Sequence, residues 1–165
     1  MQIRIAGLVN DSIVDGPGLR LAVFTQGCPH HCPGCHNPES HAFDGGELRD
    51  TDDILAIASD NILLDGITLT GGEPFAQAES CVEIARGAHK LGLNVWCYTG
   101  YLFEDLLRGS PEWQALLSEI DVLVDGPFIL AQRSLNLHFC GSANQRIIDV
   151  PQSVKAQKAV CINIK

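Results

Sequence analysis

Residues 66–100 read GITLTGGEPFAQAESCVEIARGAHKLGLNVWCYTG, and they spell out one complete strand–helix–strand unit. The β-branched run at 67–70 ends in a glycine turn, GGEP (71–74). A helix follows from about 77 to 91, with Ala78, Cys81, Val82, Ala85 and Ala88 recurring at helical spacing as a core face. Gly92 suits the position just past a helix end, and LNVWCYTG (93–100) is the next strand. Downstream, LFEDLLR (102–108) reads as a helix, and Ser110 with Pro111 caps and opens another. IDVLVDGPF (120–128) is a strand and turn, and RIIDV (146–150) is a last strand stopped by Pro151. Upstream, IRIAGLV (3–9) and LRLAVFT (19–25) are strands. FDGGE (43–47) is a turn, and Thr51 is the expected cap of a helix burying Ile54, Leu55, Ile57 and Ala58, with Asp52 and Asp53 in its first turn.

Strands near 67, 94 and 122 have the spacing of βα units, which predicts an α/β fold: a parallel sheet with outer helices, as an open partial barrel or a doubly wound sheet. In either arrangement the turns after the strands share one edge, where such folds bind ligands. A cysteine-rich loop after residue 25, GGEP and YTGY (98–101) each follow a strand and should meet there.

The chain has 165 residues, 45% hydrophobic and 19% charged, which fits a single globular domain. It contains no apolar run of transmembrane length. MQIRIAGLVNDS lacks a signal-peptide layout, so a cytoplasmic protein is expected. A net charge of −9 argues against nucleic acid or an anionic membrane as partner. Seven cysteines, an odd number, make a disulfide framework a poor reading. Cys81, Cys97 and Cys161 read as buried thiols, whereas Cys140 has no evident role.

GCPHHCPGCHNP (27–38) is different, because it packs three cysteines and three histidines into twelve residues. Structural zinc commonly takes two Cys-x2-4-Cys pairs, and here the second pair is missing, so His31 or distant Cys140 would have to complete the set. The other reading is a [4Fe–4S] cluster held by Cys28, Cys32 and Cys35, with one iron left open for a substrate or cofactor. GGEP suits what would occupy that corner. Its glycines admit a close approach, and Glu73 can accept hydrogen bonds from an ammonium group.

Cys-x3-Cys-x2-Cys followed by GGEP at a later strand end resembles the radical S-adenosylmethionine superfamily. VDGPGLR (14–20), GCPHHCPGCHNPESH (27–41), TLTGGEP (68–74), YTGY, DVLVDGPF (121–128) and GSANQRIIDV (141–150) together resemble the activating enzymes of anaerobic, class III ribonucleotide reductase. The resemblance implies an open, partial TIM-like β/α barrel, a [4Fe–4S] cluster and S-adenosylmethionine as cofactors, and a 5′-deoxyadenosyl radical that takes a hydrogen from a glycine of the reductase. It also implies flavodoxin or ferredoxin as electron donor.

By the same resemblance, Cys28, Cys32 and Cys35 are the iron ligands, and Gly34, Cys35 and His36 lie along the adenosine. Gly71, Gly72 and Glu73 receive the methionyl ammonium, Thr99 and Gly100 line the cofactor, and residues 15–18 shape the mouth. The superfamily often has an aromatic residue before the third cysteine. Here it is Gly34, which passes part of the adenine contact to His36. GSANQR (141–146) would bind either partner or cofactor. Plainer expectations stand beside these: His30 and His31 as exposed loop residues, Asp125 as a turn cap, Trp96 and Trp113 as core anchors, and Arg146 in a surface salt bridge. The competing functions are a radical enzyme acting on another glycyl radical enzyme or on a small molecule, such as a deazapurine precursor, or a zinc module or electron carrier.

Overall fold

The computed structural model describes residues 1–163. Its elements run β1 (Gln2–Ser12), β2 (Arg20–Thr25), β3 (Glu47–Asp50), α1 (Thr51–Asp60), β4 (Gly66–Gly71), α2 (Ala78–Lys90), β5 (Asn94–Tyr98), α3 (Phe103–Leu107), α4 (Pro111–Glu119), β6 (Val122–Asp125), β7 (Arg146–Asp149) and α5 (Val150–Ala156). Short 3-10 turns occupy Pro38–Ser40, Pro74–Gln77 and Leu130–Gln132. The seven strands form one sheet in the order β3-β1-β2-β4-β5-β6-β7. Among the described residues, no helix is long and apolar enough to cross a membrane.

The centre of the sheet, β2-β4-β5-β6, is parallel, as the βα spacing predicts. Both flanks are antiparallel: β1 pairs with β2 and β3, and β7 with β6. The connections explain this. A parallel neighbour needs a crossover that carries the chain back to the opposite edge, usually through a helix. The link between β1 and β2 is a short hairpin, and the segment between β6 and β7 returns to the edge it left without an α-helix.

On one sheet face Ile67 and Leu69 of β4, Val95 and Cys97 of β5 and Leu123 of β6 meet Ile54 of α1, Cys81, Ile84, Ala85 and Ala88 of α2, and Leu116 of α4. Each large aliphatic side chain removed from water here contributes about 1.5–3 kcal/mol. The opposite face is polar and aromatic, with Arg20, Thr68, Thr70, Trp96 and Tyr98. Residues 13–19 fold over it. Arg20, fully buried, donates from Nε to Thr68 Oγ1 (2.7 Å), from Nη1 to the Pro17 carbonyl (3.0 Å) and from Nη2 to Asn94 Oδ1 (2.6 Å). Its guanidinium also lies 5.7 Å from the Trp96 ring centroid. Thr68 Oγ1 donates to the Asp15 carbonyl (2.6 Å). The VDGPGLR motif is thus a strap, tied down by its own arginine. Burial lowers the Arg20 pKa to about 10.

Several local expectations are corrected. Asp50, not Thr51, caps α1, accepting from Asp52 N (2.9 Å), while Thr51 is buried as the first helical residue. β3 sits just before that cap. Ile54 and Ala58 are buried, but Leu55 and Ile57 are only half-buried. Pro151 does not merely stop β7. It lies in the first turn of α5, a helix capped by Asp149, which accepts from Gln152 N (3.0 Å). Cys161 is exposed, because its segment only bridges the edge strand at Ile148; Cys81 and Cys97 are buried. Trp96 is buried and Trp113 packs on the core, donating to the Phe75 carbonyl (3.0 Å).

Candidate functional site

The cysteine loop leaves β2 and returns to nearly the same point. Gly27 N donates to the Ser40 carbonyl (2.7 Å) and Cys28 N to the His41 carbonyl (3.1 Å), closing the neck. The buried Gln26 side chain reinforces that neck by donating to the Ala42 carbonyl (2.7 Å). Inside the loop, Cys35 N donates to the Cys32 carbonyl (3.2 Å), and Asn37 N donates to Cys35 Sγ (3.4 Å). Cys28 is buried, while Cys32 and Cys35 are half-buried; all three are free thiols. Burial pushes the Cys28 thiol up, and the nearby Glu73 charge pushes it the same way.

GGEP meets this loop through its backbone. Gly72 N donates to the Thr25 carbonyl (2.7 Å) and Glu73 N to the Gly27 carbonyl (2.8 Å). Gly71 has φ +90°, and a Cβ there would stand 2.6 Å from Thr25 N. A Cβ on Gly72 would stand 2.5 Å from the Gly27 carbonyl oxygen. Only glycine allows the two loops to come this close.

Glu73 is fully buried and joins three segments. Its Oε1 accepts from Gly100 N (2.8 Å), Thr99 Oγ1 (2.8 Å) and His30 Nε2 (2.6 Å), and its Oε2 accepts from Phe75 N (3.1 Å). His30 is therefore not the exposed loop residue the sequence suggests. Its side chain is 16% exposed, stacks edge-on against Tyr101 and reaches Glu73. His31 is exposed as expected. The His30–Glu73 pairing spans 43 positions and leaves no mark in the sequence.

Cys28, Cys32 and Cys35 line a cavity of about 110 Å³ together with Gly71, Gly72 and Thr99. Among the described residues, no three His, Cys, Asp or Glu side chains converge as a site for a single metal ion. Three thiols around a cavity, with an amide donating to one sulfur, are a donor set that fits an iron–sulfur cluster. Cys35, Thr70, Tyr98, Phe128 and Gln145 also border a second cavity of about 380 Å³, which reaches His36, Asp15 and Cys140. Gly34 lies beside Leu130, and His36 packs against Phe128. Of the expected site residues, Cys28, Cys32, Cys35, Gly71, Gly72 and Thr99 border the first cavity and His36 the second, while Gly34 and the buried Glu73 border neither. Cys140 lies in the second cavity and not in the first. Phe128 is the residue at this junction to which sequence reasoning assigns no role of its own, while Gln145 is marked there only as part of GSANQR.

The carboxyl edge of the parallel strands is braced by ions. Asp125, fully buried, accepts from Phe103 N (2.8 Å) and from Arg146 Nε (3.0 Å). Arg146 also reaches Glu104 (2.7 Å), and its pKa is raised, first by the hydrogen bond to Asp125. Asp125 is thus both a helix cap and half of an ion pair, which ties β6 and β7 to α3.

The 4Fe-4S single cluster domain family matches residues 14–148. Curated relatives include the anaerobic ribonucleoside-triphosphate reductase-activating protein of Haemophilus influenzae, 34% identical over 145 residues that cover 82% of this chain and 90% of that protein. Its counterpart in Vibrio cholerae is 36% identical over 145 residues, with 82% and 90% covered. Among solved structures, QueE from Escherichia coli matches 61% of this chain and 53% of its own at a TM-score of 0.45 and 18% identity, a likeness too loose to carry an argument.

Proposed function

The chain belongs to the family of anaerobic ribonucleoside-triphosphate reductase-activating proteins, and from that premise we propose that it generates the glycyl radical of such a reductase. The observation that carries the reading is the cavity where Cys28, Cys32 and Cys35 face Gly71, Gly72 and Thr99.

In this reading the three cysteines hold a [4Fe–4S] cluster, and S-adenosylmethionine binds beside it. A cluster held by Cys28, Cys32 and Cys35 would supply the electron for reductive cleavage of S-adenosylmethionine, and with it the hydrogen abstraction from the reductase's glycine. The chain's own residues do the positioning. Gly71 and Gly72 bring backbone to the cofactor. Glu73 takes the methionyl ammonium in exchange for His30, whose side chain is more exposed than that of Thr99, its other side-chain donor. Thr99 keeps the carboxylate aimed, and Gly34, Cys35 and His36 run along the adenosine. The strap at residues 13–19 and the wall at 126–130 limit water access. The chain is a single domain, an open partial barrel of the radical S-adenosylmethionine type, and works in the cytoplasm with flavodoxin or ferredoxin as electron donor. Support for the barrel type comes from the parallel centre of the sheet and its polar inner face.

The test is anaerobic. Reconstituted protein should hold close to four irons and four sulfides per chain. Mixed with S-adenosylmethionine, a reductant and the anaerobic reductase, it should produce a glycine-centred signal in paramagnetic resonance. Cys32→Ala should lose both the cluster and the signal, while Cys161→Ala keeps both. A protein that takes up only zinc, or a Cys32→Ala variant with full activity, removes the proposal.

A further inference from the structure

The sequence leaves GSANQR open between binding the partner and binding the cofactor. In the structure its side chains grip the turn at 126–129. Gln145 Nε2 donates to the Gly126 carbonyl (3.1 Å), while its Oε1 accepts from Gly141 N (2.8 Å). Asn144 Nδ2 donates to the Pro127 carbonyl (2.8 Å). Ser142, fully buried, accepts from Ile129 N (3.2 Å) and donates to Asn144 Oδ1 (2.6 Å). Three backbone positions on either side of residue 128, those of Gly126, Pro127 and Ile129, are thus fixed by three polar side chains of one motif.

The residue held in this grip is Phe128. It is half-buried and does not belong to the hydrophobic core. Its ring borders both the cysteine cavity and the larger one, with its centroid 5.1 Å from that of His36. Next to it, Leu130 fills the space at Gly34: a Cβ there would stand 2.8 Å from Leu130 Cδ1, and Gly34 has φ +75°. The wall over the cysteine loop is therefore built by the 126–130 segment and not by the loop itself. An aromatic ring kept out of the core, on a backbone held at both sides of it and set at the junction of two cavities, offers a face to a planar ring. A cavity of about 380 Å³ beside it falls within the usual range for a small-molecule site.

We propose that Phe128 is the stacking platform for the purine of S-adenosylmethionine, and that Ser142, Asn144 and Gln145 are positioning residues that hold it there. The inference rests on the function proposed above. It gives GSANQR a positioning role: Ser142 and Asn144 hold the turn from outside both cavities, and Gln145 holds it from their shared border. Removing an aromatic stacking partner costs roughly tenfold in affinity per base. The loss should fall on ligands with a purine and spare those without one.

The experiment uses the anaerobic, reconstituted full chain with two probes. S-adenosylhomocysteine carries the purine and cannot be cleaved at a sulfonium; methionine carries only the amino acid end. Binding of the first is measured by calorimetry, and of the second by its change of the reduced cluster's paramagnetic resonance spectrum. Phe128→Ala should weaken S-adenosylhomocysteine roughly tenfold. Phe128→Trp should hold it near the wild-type value, and methionine should be unchanged in both. Asn144→Ala should reproduce part of the loss, and the Phe128→Ala, Asn144→Ala double variant should bind no more weakly than Phe128→Ala alone. Unaltered S-adenosylhomocysteine affinity in a Phe128→Ala protein with wild-type iron content overturns the platform. An equal loss of both probes overturns it too. A wild-type protein that binds neither probe refutes the proposed function itself, which separates the two failures.

Discussion

At the scale of single residues, Glu73 concentrates most of the site's constraints. Its buried carboxylate takes hydrogen bonds from the GGEP turn, the YTGY turn and the cysteine loop. Hydrogen bonds to a buried charge are worth about 1.5–3 kcal/mol each, and a donor left without its acceptor costs extra. Glu73→Ala is therefore expected to lower stability by roughly 3 kcal/mol or more. Denaturant unfolding of the iron-free protein measures this, and a change below about 1 kcal/mol would show that the carboxylate is not the junction of the three loops. Because iron-free protein is used, the outcome is independent of any effect on the cofactor. His30 needs no intrinsic property beyond reach; it comes to Glu73 because Cys28 and Gly27 are anchored within two or three positions of it.

At the scale of elements, the site depends on how closely the β2 and β4 ends approach. The contact between Gly72 and the Gly27 carbonyl is backbone against backbone, so no side-chain rotation relieves an added methyl group. Gly72→Ala should displace one loop from the other. We expect cluster loading to fall several-fold while the far-ultraviolet circular dichroism stays native, because the core on the helix face is untouched. Iron and sulfide analysis after reconstitution decides it, and full loading would mean that the loops can separate without consequence. The flanks follow similar logic. Asp149 ends β7 and opens α5 in one residue, a double duty that a strand-stopping proline conceals in the sequence.

For the whole molecule, the sheet's helix side responds to pH. Burial pushes the thiols of Cys81 and Cys97 well up from their ordinary value of 9.0. Below pH 9 folded and unfolded chains both keep these protons, and the contribution to stability is complete. As the pH rises past 9 the unfolded chain releases its protons while the folded chain retains them. The unfolded state then binds fewer protons, and stability falls by about 1.4 kcal/mol per pH unit for each thiol. The stability advantage of wild type over Cys97→Ala should thus be flat from pH 7 to 9 and shrink above it. Urea unfolding of both proteins at stepped pH gives the comparison, and an advantage that grows with pH would contradict the burial of Cys97. The net charge of −9 makes all alkaline measurements sensitive to salt, so ionic strength must be held constant.

What the sequence alone determined is what neighbouring residues record. Helical spacing from Ala78 to Ala88, the β-rich runs, Ser110 with Pro111, and three cysteines on one loop are all local, and each element stands where its periodicity puts it to within a few residues. Even the shared edge for the cysteine loop, GGEP and YTGY follows locally, since parallel strands must end together. Local pattern also misled at Cys161, where apolar neighbours suggested burial that a terminal segment on an edge strand does not provide. Only the tertiary structure decided which residues from different turns touch: His30 with Glu73, Leu130 beside Gly34, Gln145 around the Phe128 turn, and Arg146 between Asp125 and Glu104. These pairings depend on strand register and on the path of loops without periodicity. A hydrogen bond between residues dozens of positions apart imposes no spacing on the chain, so nothing short of the folded arrangement could reveal it.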